Sequence, residues 1–176
     1  MSRLESGLER LRLWDSALCI RFNGAVRIAP VRHVFRVVSR LGDGVFWYSL
    51  MLALLATGGG PAVSTVGRMV GTGLACTLIY KWLKSRTSRP RPFAVENAVR
   101  AGADPLDPFS FPSGHTLHAV AFSIVAIAYY PVLAWVLVPF TILVAVSRVV
   151  LGLHYPSDVL AGAALGALIA SGFLAF

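Results

Sequence analysis

Two long stretches of this chain carry no fixed charge. Residues 44–67 hold no acidic or basic side chain, and residues 108–147 hold none apart from His115 and His118. About a quarter of the residues in a water-soluble domain are acidic or basic. Here the share is 14%, against 56% hydrophobic residues and a mean hydropathy of +0.70. Lipid is therefore the solvent for most of the molecule. In lipid the backbone must satisfy its own polar groups, as helices and closed barrels do, and apolar runs of about 20 residues are the length of a helical crossing. The expected fold is all-α: an integral membrane bundle of about five to six transmembrane helices behind N-terminal amphipathic helices.

A crossing needs about 20 residues. Residues 41–57, 62–84, 113–130, 131–150 and 157–176 are the candidate spans, the first of them short by that rule and closed by Gly58-Gly59-Gly60-Pro61. Upstream, Leu4, Leu8, Leu11, Trp14 and Leu18 recur at helical spacing over residues 3–20, with Arg3, Glu5, Glu9, Arg10 and Arg12 between them. Residues 30–40 repeat the pattern, with Val34, Val37 and Val38 set against Arg32, Arg36 and Arg40. A central arginine costs roughly 2.5–3.5 kcal/mol on insertion, so both segments are expected in the interface; a soluble helical hairpin is the alternative. The chain divides into an interfacial segment, residues 1–40, and a transmembrane domain, residues 41–176.

The net charge is +8. Its basic residues cluster in residues 1–43 and 81–100, at the borders of apolar spans. That placement fits anionic lipid headgroups or a phosphate substrate and argues against nucleic acid. Cys19 and Cys76 stand apart, in no disulfide or metal pattern. The Arg-rich N-terminus lacks the uninterrupted apolar core and small-residue site of a cleavable leader.

Three segments carry chemistry. Residues 84–92 read Lys-Ser-Arg-Thr-Ser-Arg-Pro-Arg-Pro directly after a span; prolines stiffen such a loop and fix its arginines, although a positive flank at a membrane edge looks similar. Residues 111–115 read Phe-Pro-Ser-Gly-His. Proline and serine suit a helix start, where free N–H groups bind anions, and His115 follows within a turn; a plain capped helix is the other reading. In the third segment Ser147 and Arg148 end an apolar span, followed by His154 and, four residues on, Asp158. A carboxylate there can take one ring N–H and leave the other nitrogen as base or nucleophile; an Arg148–Asp158 ion pair would instead simply tie two helices. Counting crossings, all three segments return to one membrane face.

Together these residues resemble the tripartite signature of the type-2 phosphatidic acid phosphatase superfamily, which includes vanadium haloperoxidases. The pattern is Lys, six residues, Arg-Pro; Pro-Ser-Gly-His; and Ser-Arg, five residues, His, three residues, Asp. It is met by Lys84, Arg91 and Pro92, by Pro112 to His115, and by Ser147, Arg148, His154 and Asp158. The resemblance covers roughly residues 41–176; the charged residues 1–40 depart from the six-span form common in the family.

The resemblance implies a lipid phosphate phosphatase that needs no metal and no cofactor. Lys84, Arg91 and Arg148 would bind the phosphate oxygens, with Ser113 and the Gly114 N–H adding hydrogen bonds. His154 would attack phosphorus, Asp158 would orient its ring, and His115 would protonate the leaving oxygen. His118 takes no catalytic role in this reading, and Arg86 and Arg89 are at most supporting. Polyprenyl diphosphate, phosphatidylglycerol phosphate and phosphatidic acid are the candidate substrates. A lipid phosphotransferase using the same site, or a non-enzymatic membrane protein, are the alternatives. The expected location is a bacterial inner membrane with the site facing the periplasm, although the arginines of residues 1–40 pull the other way under the positive-inside rule. Gly162 and Gly166 in the last span predict close helix packing.

Overall fold

The structure, a computed structural model, describes residues 3–175, apart from the side chains of Arg3, Leu4 and Leu8. That part of the predicted N-terminal stripe, and Phe176 at the end of the predicted last span, lie outside the described residues. Among the described residues the principal elements are all helices: α1 (Arg3–Asn23), α2 (Ala29–Arg40), α3 (Phe46–Thr57), α4 (Gly59–Thr87), the single turn α5 (Pro92–Val95), α6 (Gly114–Tyr129), α7 (Ala134–Val150) and α8 (Pro156–Leu174), with a non-helical loop over residues 96–113. Among the described residues there is no β-strand beyond an isolated bridge between Pro90 and Phe109.

Four stretches are long and apolar enough to cross a membrane: Ala29–Thr57, Gly59–Thr87, Pro131–Val150 and Pro156–Leu174. Leu52, Leu74, Leu78, Trp135, Leu160 and Leu168 stand exposed along them, as lipid-facing residues should. The chain is an integral membrane protein of the expected all-α class. The first crossing begins earlier than the sequence predicts. Residues 30–40 do not stop at an interface but run into α3, through a break at residues 41–45 where Gly44 takes φ 127°. Arg36 is accommodated by turning to a loop, its Nε donating to the Gly102 carbonyl, and Arg32 Nη1 lies 3.5 Å from the Val26 carbonyl.

The fifth apolar helix, α6, has 16 residues, about 24 Å at 1.5 Å per residue. It need not span lipid on its own, because α4, α7 and α8 pack around it. Its Leu117, Ala119, Ala121, Val125 and Ala126 are wholly buried. The tightest seam joins it to α8. A Cβ at Gly162 would lie 2.6 Å from the Ser113 carbonyl oxygen, and one at Gly166 2.4 Å from that of Leu117. The two backbones can meet only because those side chains are absent. Trp47, Phe46, Phe122 and Phe140 fill the far side, with Trp47 and Phe122 ring centroids 5.4 Å apart.

Candidate active site

The ends of α4, α6, α7 and α8 meet at one end of the bundle. Ser88 stops α4 in the left-handed conformation (φ 45°, ψ 30°), its N–H bonded to the Lys84 carbonyl at 3.1 Å. The chain then turns back through Pro90 and Pro92, and the Ser110 N–H bonds to the Arg89 carbonyl at 2.8 Å. This pairing folds residues 105–113 over the end of α4. The Ser113 N–H in turn reaches the Asp158 carbonyl at 3.0 Å, which ties the start of α6 to the first turn of α8.

A cavity of about 390 Å³ opens here. Lys84, Arg91, Gly114, His115, Arg148 and His154 all line it. Ser113 and Asp158 are buried behind that surface. Three cations from two segments, Lys84 and Arg91 from the first and Arg148 from the third, therefore share one space, and all three are nearly fully buried. Burying cations is costly unless anionic groups or hydrogen bonds answer them.

The three cations are answered to different degrees. Lys84 Nζ donates to Asp107 Oδ2 at 2.6 Å and to the Phe109 carbonyl at 3.2 Å. Arg91 binds Asp107 Oδ1 at 3.1 Å through Nη2 and the Leu153 carbonyl at 2.7 Å through Nη1. Arg148 donates to the Ser39 hydroxyl, while its buried Nε has no partner in the protein. Burial works against the Asp107 carboxylate, but the Lys84 hydrogen bond and the charges of Lys84 and Arg91 prevail and hold its pKa below the usual range.

His154 Nε2 lies 3.2 Å from Arg91 Nη1. A guanidinium can only donate, so Nε2 is the acceptor and carries its lone pair toward the cations. The ring proton of the neutral form then sits on Nδ1, facing Asp158 Oδ2 at 3.8 Å. That distance is beyond a hydrogen bond, so the predicted direct donation to Asp158 is a facing arrangement here, and Nδ1 is without a hydrogen-bond partner. Burial first, then the charges of Arg148, Arg91 and Lys84, push the His154 pKa well below the usual histidine range. The imidazole is neutral at pH 7 and its lone pair is available.

Two local expectations change. The Ser113 hydroxyl pairs with the Thr116 hydroxyl at 2.9 Å and does not cap α6. Pro112 precedes the helix and is not in its first turn. The sequence also left several site residues unseen. Asp107 bridges two of the cations. Asp43, in the α2–α3 break, faces His115 Nε2 at 3.5 Å. Arg89, expected at most to support the site, pairs with Asp158 at 2.6 Å and with Asp15, which the sequence did not mark, at 2.8 Å. No motif spacing marks these acidic residues, and only the proximity of residues 105–108 to the serine segment hints at Asp107. His118 lies on the cavity wall, bonded to the Gly114 carbonyl at 2.9 Å. Away from the cations the lining turns apolar, with Trp47, Met51, Val70, Leu74 and Phe122.

A family model described as the PAP2 superfamily matches residues 62–176. Undecaprenyl-diphosphatase BcrC of Bacillus subtilis is 37% identical over 108 residues, covering 60% of this chain and 53% of that protein. An undecaprenyl-diphosphatase of Sulfolobus acidocaldarius is 35% identical over 149 residues, covering 81% of this chain and 69% of its own length. The chain thus spans about half the length of the first of these relatives. The crystal structure of Aquifex aeolicus LpxE superposes with a TM-score of 0.78 at 24% identity, covering 93% of this chain and 96% of the other.

Proposed function

Since this chain belongs to the PAP2 superfamily, we propose that it hydrolyses lipid phosphates or diphosphates, with His154 as the covalent nucleophile. The observation that carries the reading is the orientation of His154: its Nε2 lone pair faces Arg91, within a cavity that Lys84 and Arg148 also line. A phosphoryl group seated among those cations would have its charge spread over three donors, including the unpartnered Arg148 Nε. The His154 lone pair forms a bond to phosphorus, and the bond from phosphorus to the lipid oxygen breaks. His115 gives that oxygen a proton, and the Asp158 carboxylate offsets the charge left on the phosphorylated ring. Water then attacks phosphorus, breaks the P–N bond and releases phosphate, returning a proton to His115.

The substrate's chain occupies the apolar part of the cavity, beside Trp47, Met51 and Leu74. The undecaprenyl-diphosphatase relatives point to a polyprenyl diphosphate within the candidate class. The site faces the periplasm of an inner membrane. The test is phosphate release by detergent-purified protein, in EDTA, from polyprenyl diphosphate, phosphatidylglycerol phosphate and phosphatidic acid. Release that survives EDTA and disappears in His154→Ala is the expected result. No release by folded wild-type protein would overturn the reading.

A further inference from the structure

The amphipathic helix α1 turns a mixed stripe toward the protein, with Cys19, packed beside Val99 and Tyr155, lying between two buried polar residues. Asp15, Cys19 and Asn23, four residues apart, are buried, while Leu11, Leu13 and Trp14 are exposed. Asn23 accepts from the Arg100 N–H at 2.8 Å and donates to the Arg100 and Val150 carbonyls, each at 2.9 Å. Asp15 reaches further into the site. Its Oδ1 accepts the Ser157 N–H at 2.9 Å, in the first turn of α8. Its Oδ2 accepts Arg89 Nη2 at 2.8 Å and the Ser157 hydroxyl. Arg89 Nη1 then donates to Asp158 Oδ1 at 2.6 Å and to Ser157 Oγ at 2.8 Å. The guanidinium lies 4.1 Å above the Tyr155 ring.

From this chain of contacts we infer that Asp15 and Arg89 are positioning residues for Asp158, and through it for His154, so that α1 belongs to the catalytic apparatus. The inference rests on the proposed nucleophilic role of His154. Asp158 is wholly buried; besides Arg89 it is met by the Tyr155 N–H, at 2.8 Å on its other oxygen, by the Ser110 side chain and by the distant His154 ring. Arg89 is the arginine or lysine that pairs with it among the described residues. A buried carboxylate stripped of its cation takes up a proton or swings away. Either change removes negative charge from the face of His154 just as bonding to phosphorus makes that ring cationic. Asp15 acts one contact earlier: it holds the second arm of the Arg89 fork, and so fixes the plane that aims the first arm at Asp158. Burial opposes the charge on Arg89, yet Asp158 and Asp15 together hold its pKa above the usual value.

The loss should fall on the chemical step, because none of these groups lines the phosphate cavity. The experiment uses the full chain in detergent with the best lipid phosphate of the panel, comparing wild type with Asp15→Asn, Arg89→Gln, Arg89→Lys and the Asp15→Asn/Arg89→Gln pair. Thermal melts are recorded alongside. For Asp15→Asn and Arg89→Gln we expect kcat to fall by about 10- to 100-fold, by analogy with the loss of groups that orient metal-ligating side chains, with KM within about twofold of wild type. Arg89→Lys should keep more activity than Arg89→Gln. The double variant should be no worse than the poorer single one, since both act through one contact. Unchanged kcat in folded single variants, a KM that rises in step, or losses that multiply in the double variant would overturn the inference while leaving the proposed function intact. If Arg89→Gln does not fold, Asp15→Asn, which keeps the arginine, decides by the same kcat and KM criterion. A wild-type protein that releases no phosphate would remove both the reading and the inference.

Discussion

Position 114 separates a structural role from a functional one within a single methyl group. A Cβ there would meet the Tyr80 ring at 3.7–3.8 Å, ordinary contact distance. The protein itself therefore does not require glycine at the start of α6, and alanine is the better helix former by up to about 1 kcal/mol. The methyl would, however, project at the cavity that Lys84, His115 and His154 line. Gly114→Ala should melt at or slightly above the wild-type temperature yet lose most phosphatase activity, roughly the 10²-fold or more that follows loss of one oxyanion donor or a comparable misplacement. Melting temperature and phosphate release on the same preparation check it. A variant that melts lower and keeps its activity would place Gly114 in the packing instead. At this scale the sequence was informative about the cations and histidines, because Lys84, Arg91, Arg148, His115 and His154 stand at spacings that recur as a set. It was nearly silent about Asp15, Asp43 and Asp107. Each of them answers a positive charge or a histidine ring from a distant stretch of chain, as Asp15 does to Arg89 seventy-four positions on, and such pairings leave no periodic trace.

Among the elements, the spans were legible where apolar runs are continuous and less so where arginines interrupt them. The charge count of residues 30–40 argued for an interfacial helix, because an arginine facing lipid is costly. What the count cannot contain is that Arg36 finds the carbonyl of Gly102, sixty-six residues on, so the helix carries its charge at the membrane edge and continues into α3. The Gly162 and Gly166 pair forms the close helix packing that its spacing predicts, and the seam it makes also sets the site. The Ser113 and Leu117 carbonyls of α6 rest where two side chains of α8 would stand. Gly166→Ala forces a methyl to within 2.4 Å of the Leu117 carbonyl oxygen. Backbone cannot yield as a flexible side chain can, so the helices must part, at about 1–3 kcal/mol for an overpacked core. Gly172, with nothing near its absent side chain, is the control on the same helix. A lowered melting temperature and reduced phosphate release in Gly166→Ala, with neither in Gly172→Ala, is the expected pair of results.

On the scale of the whole molecule, one end of the bundle carries the site, the start of α2 and the docked α1. The Gly102 N–H bonds to the Leu151 carbonyl at 2.9 Å, so residues 100–106 belong to that end as well. Arg68 lies toward the opposite end, its guanidinium on the Phe173 carbonyl at 2.9 Å. The positive-inside rule counts free juxtamembrane charge, and Lys84, Arg89, Arg91 and Arg148 are committed to contacts within the site. Discounting them leaves the arginines of residues 1–40, with Lys81, Arg86 and Arg100, to set against Arg68. Helix α1 lies outside the crossings and is a weak topology signal, whereas the α2 arginines lead into the first crossing and pull against the proposed periplasmic placement. Position 103 reports the answer directly, because Cys19 and Cys76 are both fully buried, and burial, with Asp15 adding to it, pushes the Cys19 thiol up to about 12. Neither thiol should compete for a maleimide in folded protein. Ala103→Cys in intact cells should react with a membrane-impermeant maleimide as fully as with a permeant one. Reaction with the permeant reagent alone would put the site on the cytoplasmic face, and its substrate would then have to be a lipid whose phosphate is presented from that side.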